Sequence, residues 1–157
     1  MLIRPATPDD LPAIRALERS ADTAAHWAER EYDALFAADS PRRVALVVVD
    51  ESGTPRINGF VIARCSSGEW EIENVVVVPD RQRQGIATEM VRDLVERAHA
   101  SGATSVLLEV RESNLAARQL YKRVGFSQQG RRSNYYRDPP EDALLLQICF
   151  PAGAKVP

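Results

Sequence analysis

Asn74-Val-Val-Val-Val-Pro-Asp-Arg-Gln-Arg-Gln-Gly-Ile-Ala-Thr88 is the stretch on which the fold turns. Four consecutive valines, Val75 to Val78, read as a buried strand, because β-branched side chains suit a packed, pleated surface. Pro79 and Asp80 end it. A basic, polar turn follows, and Gly85-Ile-Ala opens an amphipathic helix. Ala87, Met90, Val91, Leu94, Val95 and Ala98 recur on one face of that helix. Its first N–H groups have no intrahelical partner, and its dipole adds partial positive charge. The turn therefore suits a phosphate group, with Arg81 and Arg83 adding charge beside it. One glycine alone more often marks an ordinary strand–loop–helix connection. No Gly-Lys-Ser/Thr follows, which excludes a Walker loop, and the three glycines of the dinucleotide fingerprint are missing.

Outward from this stretch, the composition sets bounds. The chain has 157 residues, which fits one domain over residues 1–150 with a frayed tail over 151–157. Hydrophobic residues make up 45% and charged ones 27%, which excludes disorder as the default. A net charge of −2 gives no electrostatic case for nucleic acid as the main partner. No apolar run reaches membrane-spanning length. Met-Leu-Ile-Arg-Pro at the start lacks a signal-peptide layout, so a cytoplasmic protein is expected. Cys65 and Cys149 both fall in predicted strands and are expected to be buried free thiols. His26 and His99 are isolated, so no metal site is expected. Neither cysteine has the neighbouring base motif that a nucleophile needs.

The rest of the chain reads in order. Leu2 to Ala6 is a short strand. Thr7-Pro8-Asp9-Asp10 is a helix start, with a cap, an early proline and acids in the first turn. Leu11, Ile14, Leu17 and Ala21 form the apolar face of that helix. A second helix is predicted from about Trp27 to Ala38, with Tyr32, Leu35 and Phe36 inward. Val44–Asp50, Ile57–Cys65 and Glu69–Val78 are predicted as three strands joined by short turns, which implies an antiparallel meander. In the third, Trp70 and Ile72 alternate with Glu69, Glu71 and Glu73. After the glycine-loop helix come a strand at Ser105–Val110 and a helix capped by Ser113-Asn114, with Ala117, Leu120, Tyr121 and Val124 inward. Phe126–Gly130 is predicted as a short strand, Arg131–Glu141 as a polar loop, and Ala143–Phe150 as the last strand. The order β-α-α-β-β-β-α-β-α-β-β gives an α/β domain, a mixed, mostly antiparallel twisted sheet flanked by helices.

Gln82-x-x-Gly85-x-Ala87 resembles the pyrophosphate loop of the GNAT acyltransferases, and the element order is theirs along essentially the whole chain. The C-terminal half is more specific. Leu108-Glu109-Val110-Arg111-x-Ser113-Asn114-x-x-Ala117-x-x-Leu120-Tyr121, then Val124-Gly125-Phe126, Arg132-x-Asn134-Tyr135-Tyr136 and Glu141-Asp142-Ala143, resembles the RimI-type ribosomal-protein-alanine N-acetyltransferases. The pair His26-Trp27 is also similar to that subfamily. Two departures stand out, the longer turn at Glu51–Arg56 and the proline-rich loop at Asp138–Glu141.

The resemblance implies an acetyl-CoA-dependent enzyme that acetylates the α-amine of a protein N-terminus, alanine first, on a ribosomal protein. It assigns the base to Glu109, and protonation of the CoA sulfur to Tyr121. Taken alone, Glu109 reads as a solvated strand residue beside Arg111, and Tyr121 reads equally well as a core aromatic. Asn114 is a helix cap by spacing, and the resemblance adds contact with the pantetheine arm. Backbone groups of Val75, Val76 and Val77 are expected to hold the acetyl and pantetheine portion as an added strand would. Arg83, Gln84, Gly85, Ile86, Ala87 and Thr88 are expected to hold the pyrophosphate. Trp27, Asn134, Tyr135 and Tyr136 are expected to line the peptide site, and the acids Glu69, Glu71 and Glu73 read either as an edge that draws a basic peptide or, equally well, as a solvated strand face. The rival readings are acetylation of a lysine or a small amine, and a non-catalytic CoA-binding regulatory domain.

Overall fold

The computed structural model describes residues 1–22, 24–38 and 42–151, so the expected frayed tail lies, from residue 152 on, outside the described residues. The elements follow the expected order: β1 (Leu2–Pro5), α1 (Leu11–Ser20), α2 (Glu29–Asp33), β2 (Arg43–Asp50), β3 (Arg56–Ser66), β4 (Glu69–Val77), α3 (Ile86–Ala100), β5 (Ser105–Arg111), α4 (Leu115–Val124), β6 (Ser127–Arg137) and β7 (Pro140–Cys149). They build one seven-stranded sheet in the order β1-β2-β3-β4-β5-β7-β6. Every neighbouring pair is antiparallel except β4 and β5.

Two apolar layers cover the sheet. On one face Met90, Val91, Leu94 and Ala98 of α3 bury against Leu46, Val61, Val106 and Leu108, with Tyr121 of α4 alongside. On the other, Ile14 of α1 and Tyr32 of α2 bury against Val47, Phe60 and Ile62. At the start of α1, Asp10 accepts the Thr7 N–H at 2.7 Å and a forked pair from Arg4 at 2.7 and 2.9 Å. That pairing holds the nearly buried Asp10 carboxyl below the usual range.

Four expectations need correction. The second helix is short: after Asp33 the chain tightens into a three-residue turn at Ala34–Phe36, so Tyr32 and Leu35 are buried but Phe36 is exposed. The alternation in β4 breaks at Glu73. Ile62 pairs with Asn74 and Ala63 with Ile72, leaving Glu73 as a bulge. Trp70 and Ile72 therefore face the α3 side and Val76 the α1 side. The polar run from Arg131 is no loop, because β6 continues through Arg137 and pairs back to Pro140 of β7. Last, Cys149 is exposed and Cys65 half-buried, and both are free.

Candidate active site

The sheet forks at its centre. β4 and β5 pair at Glu69 with Ser105, Trp70 with Val106 and Glu71 with Leu107, and the ladder ends there. β4 remains bonded to β3 as far as Val77. Among the described residues the β5-side edge of Val75, Val76 and Val77 thus has no strand partner, and its backbone groups can accept an extended chain carrying amides. Gly59 of β3 serves this segment: a Cβ there would lie 2.7 Å from the Val76 carbonyl oxygen. Sequence reasoning passed over Gly59, whose only signal is a glycine inside a strand.

Beyond the fork the chain enters α3 through two left-handed residues, Arg83 at φ +61° and Gly85 at φ +82°. Open space surrounds the position of a Gly85 Cβ, so the N–H groups of Ile86, Ala87 and Thr88 can be approached by a phosphate. Gln82 and Gln84 brace the turn through the Val77 and Asp80 carbonyls, at 3.2 and 3.3 Å. Arg81 is held by Asp50 at 3.2 Å, whereas Arg83 is exposed. The unpaired strand edge and the open helix start both fit a pantetheine pyrophosphate.

On β5, Val106, Leu108 and Val110 enter the α3 core, and Glu109 points to the opposite face. The Glu109 side chain is 16% exposed and forms an ion pair with Arg132, Nε to Oε1 at 2.9 Å. The Glu109 carboxylate beside it, and then burial, push the Tyr135 phenol up. The Tyr135 and Tyr136 rings meet edge to face at 5.1 Å, and the Arg111 guanidinium lies 4.0 Å over Tyr136. Tyr121 reaches this group from α4, buried against Phe126 at 5.6 Å. Burial, with the field of Tyr136 second, holds its phenol well above the ordinary tyrosine range.

The hairpin is laced to the start of α4. Glu141 accepts the Ser113 N–H at 2.6 Å, and Asp142 accepts the N–H of Asn134, itself at φ +51°. The Asn114 side chain accepts the Ala117 N–H at 3.2 Å, so its capping role is observed. Glu109, Tyr135 and Tyr136 are thus brought together, Tyr121 lies on the α3 side with the field of Tyr136 reaching it, and Val75–Val77 and the Arg83–Thr88 turn lie beyond the fork. Trp27 stands apart on the α1–α2 loop, between Arg43 at 4.8 Å and Tyr32 at 5.2 Å. The expected acidic attraction is weakened, because Glu73 is paired with Arg43, Glu71 with Arg64, and Glu69 accepts from Ser105. Among the described residues no cluster of His, Cys, Asp or Glu could hold a metal, and no helix is long and apolar enough to cross a membrane.

A strand edge opened by a fork, a phosphate-ready helix start and a carboxylate beside tyrosines make a candidate acyl-transfer site. Residues 11–126 match the model of the acetyltransferase (GNAT) family, and the chain belongs to that family, whose acetyl donor is acetyl-CoA. The chain is 33% identical over 141 residues to the ribosomal protein bS18-alanine N-acetyltransferase of Escherichia coli strain K12, covering 88% of this chain and 90% of that one. The crystal structure of the ribosomal-protein-S18-alanine N-acetyltransferase from Escherichia coli is similar, with a TM-score of 0.81 at 26% identity over 99% of each chain. Arabidopsis thaliana NAA60 in complex with acetyl-CoA shares the fold at 21% identity, with a TM-score of 0.82 over 94% of this chain and 97% of that one.

Proposed function

We propose that residues 1–150 form one catalytic domain that moves the acetyl group of acetyl-CoA to the N-terminal amine of a protein. The acceptor is an N-terminal alanine of a ribosomal protein of the bS18 kind, met in the cytoplasm. Reaction is by direct attack in a ternary complex. The identity to the bacterial enzymes named for that activity supports the acceptor class. The observation that carries the reading is Glu109, a carboxylate just past the fork, with a cation already on it. The Arg132 side chain is 60% exposed, and its guanidinium also lies 5.6 Å from the Tyr135 ring centre. An incoming α-ammonium would take its place, one cation exchanged for another.

Glu109, directly or through one water, takes a proton from that ammonium. The freed lone pair attacks the thioester carbonyl carbon, the C–N bond forms, and the C–S bond breaks. Tyr121 donates its hydroxyl hydrogen to the departing sulfur, and the second proton, shed by the nitrogen as the amide forms, passes through solvent to restore the Tyr121 hydroxyl. Val75–Val77 and the Arg83–Thr88 turn hold the donor so that the reacting atoms start close together. Asn114 borders the pantetheine arm, and Asn134, Tyr135 and Tyr136 with Trp27 flank the peptide. Mass spectrometry of an alanine-first peptide after incubation with acetyl-CoA tests this. Acetyl on the α-amine, lost with Glu109→Gln, is the expected result; binding of acetyl-CoA without turnover would leave a regulatory domain.

A further inference from the structure

Glu18 lies on α1, is 3% exposed, and among the described residues meets no cation. A buried carboxylate without a cation costs several kcal/mol unless strong hydrogen bonds offset it. Its partner is the backbone N–H of Trp27, at 2.6 Å, while the nearby Tyr32 hydroxyl, its phenol pushed up first by burial and then by the Glu18 charge, makes no hydrogen bond among the described residues. Two residues earlier, the buried Asn74 of β4 accepts the N–H of Ala25 at 3.3 Å, and its own Nδ2 has no partner among the described residues. Between these two grips His26 turns through φ +51°, a left-handed bend that holds only where its surroundings fix it. The Trp27 ring is then fixed from its sides by Arg43 and Tyr32, and Arg43 is locked to Glu73 at 2.7 and 3.2 Å.

The place of this loop gives the grip a use. Glu73 and Glu109 stand two residues beyond Glu71 and Leu107, the last pair before the fork opens. The grip of Asn74 on Ala25, with the Arg43–Glu73 pair beside Trp27, ties this loop to β4 at the fork, across from Glu109 on β5, and Asn74 immediately precedes the donor segment Val75–Val77. We infer that Glu18 and Asn74 are positioning residues for the acceptor: through the N–H groups of Trp27 and Ala25 they fix the α1–α2 loop as the wall facing Glu109. This rests on the proposed acceptor site and adds two residues that touch neither substrate.

The test is a split of KM from kcat. Glu18→Leu should raise the KM of an alanine-first peptide about tenfold, as loss of a charge-assisted hydrogen bond would. Saturated kcat and acetyl-CoA affinity should stay within about twofold. Glu18→Gln, which keeps an oxygen for the Trp27 N–H, should restore the KM. Asn74→Leu against Asn74→Asp repeats the comparison from β4. Unchanged peptide KM in a leucine variant that binds acetyl-CoA overturns the inference. So does loss of acetyl-CoA binding in both leucine variants, which would make the pair a fold element. Running a lysine peptide with a blocked N-terminus in parallel separates the two claims. Acetylation of that peptide alone would remove the α-amine reading, while the same KM response on it would keep the positioning role.

Discussion

Replacing Tyr121 by phenylalanine removes one hydroxyl from the proposed site and little else. The ring packs edge to face on Phe126 at 5.6 Å, a contact phenylalanine keeps. Among the described residues the hydroxyl has no hydrogen-bonding partner, so its removal strands no buried group. Stability should therefore change by less than about 1 kcal/mol. If the hydroxyl supplies the proton that the sulfur takes, kcat should fall by about 10²–10⁴-fold, or ~2.7–5.5 kcal/mol of barrier. Burial raises the Tyr121 pKa, so the proton is present at every pH below the ordinary value near 10 and is lost only above it. Deprotonation of Tyr121 thus causes no fall in rate between pH 7 and about 10, and the variant should keep the wild-type profile at a lower level. Steady-state rates across that range, with calorimetry of acetyl-CoA binding, measure both. A variant with unchanged kcat would refute the assignment and leave Tyr121 a core aromatic.

Three further outcomes follow from the geometry. Gly85→Glu places a side chain and a negative charge in the open phosphate approach; calorimetry should show acetyl-CoA affinity lower by roughly 10–100-fold, about 1.4–2.8 kcal/mol, in a folded protein. Tyr135→Ala removes a half-exposed ring from the side of Glu109 and should raise peptide KM several-fold without changing acetyl-CoA affinity. Asp10→Asn breaks the fork with Arg4 and should cost about 1.5–3 kcal/mol at pH 7 by denaturant titration. Because the folded pKa of Asp10 lies below its unfolded value, that stability is present above about pH 4 and is lost as pH falls through the folded pKa. The gap between wild type and variant should close in acid.

Elements with a strong apolar period were legible in the chain. The α3 face at Met90, Val91, Leu94 and Ala98 is where the pattern puts it, whereas the expected buried strand of four valines ends at Val77 and keeps Val75 and Val77 only half-buried. β6 was not legible beyond Gly130, because it is the edge of the sheet and is exposed along most of its length. It has no buried face to impose alternation, so its polar residues read as a loop. The bulge at Glu73 was hidden for a different reason: residues 69–73 alternate cleanly, and the extra residue shows only in the pairing with β3. The fork between β4 and β5 is likewise a matter of long-range register. Arg132 on Glu109, and Glu18 and Asn74 beneath the α1–α2 loop, join residues 23 or more positions apart or around a bend. No local spacing announces them.

The central claim is an α-amine acceptor, and one pair of peptides of identical sequence tests it. One carries a free N-terminal alanine and blocked lysines; the other carries a blocked N-terminus and free lysines. An α-amine with a pKa of about 7.7–8.0 is roughly a tenth neutral at pH 7, whereas lysine at about 10.4 is neutral in roughly one molecule in 2,500. A single carboxylate such as Glu109 is a modest base suited to the first. Initial rates with acetyl-CoA should favour the free N-terminus, and Glu109→Gln should reduce that rate. Faster acetylation of the lysine peptide would contradict the account and make this protein a lysine acetyltransferase.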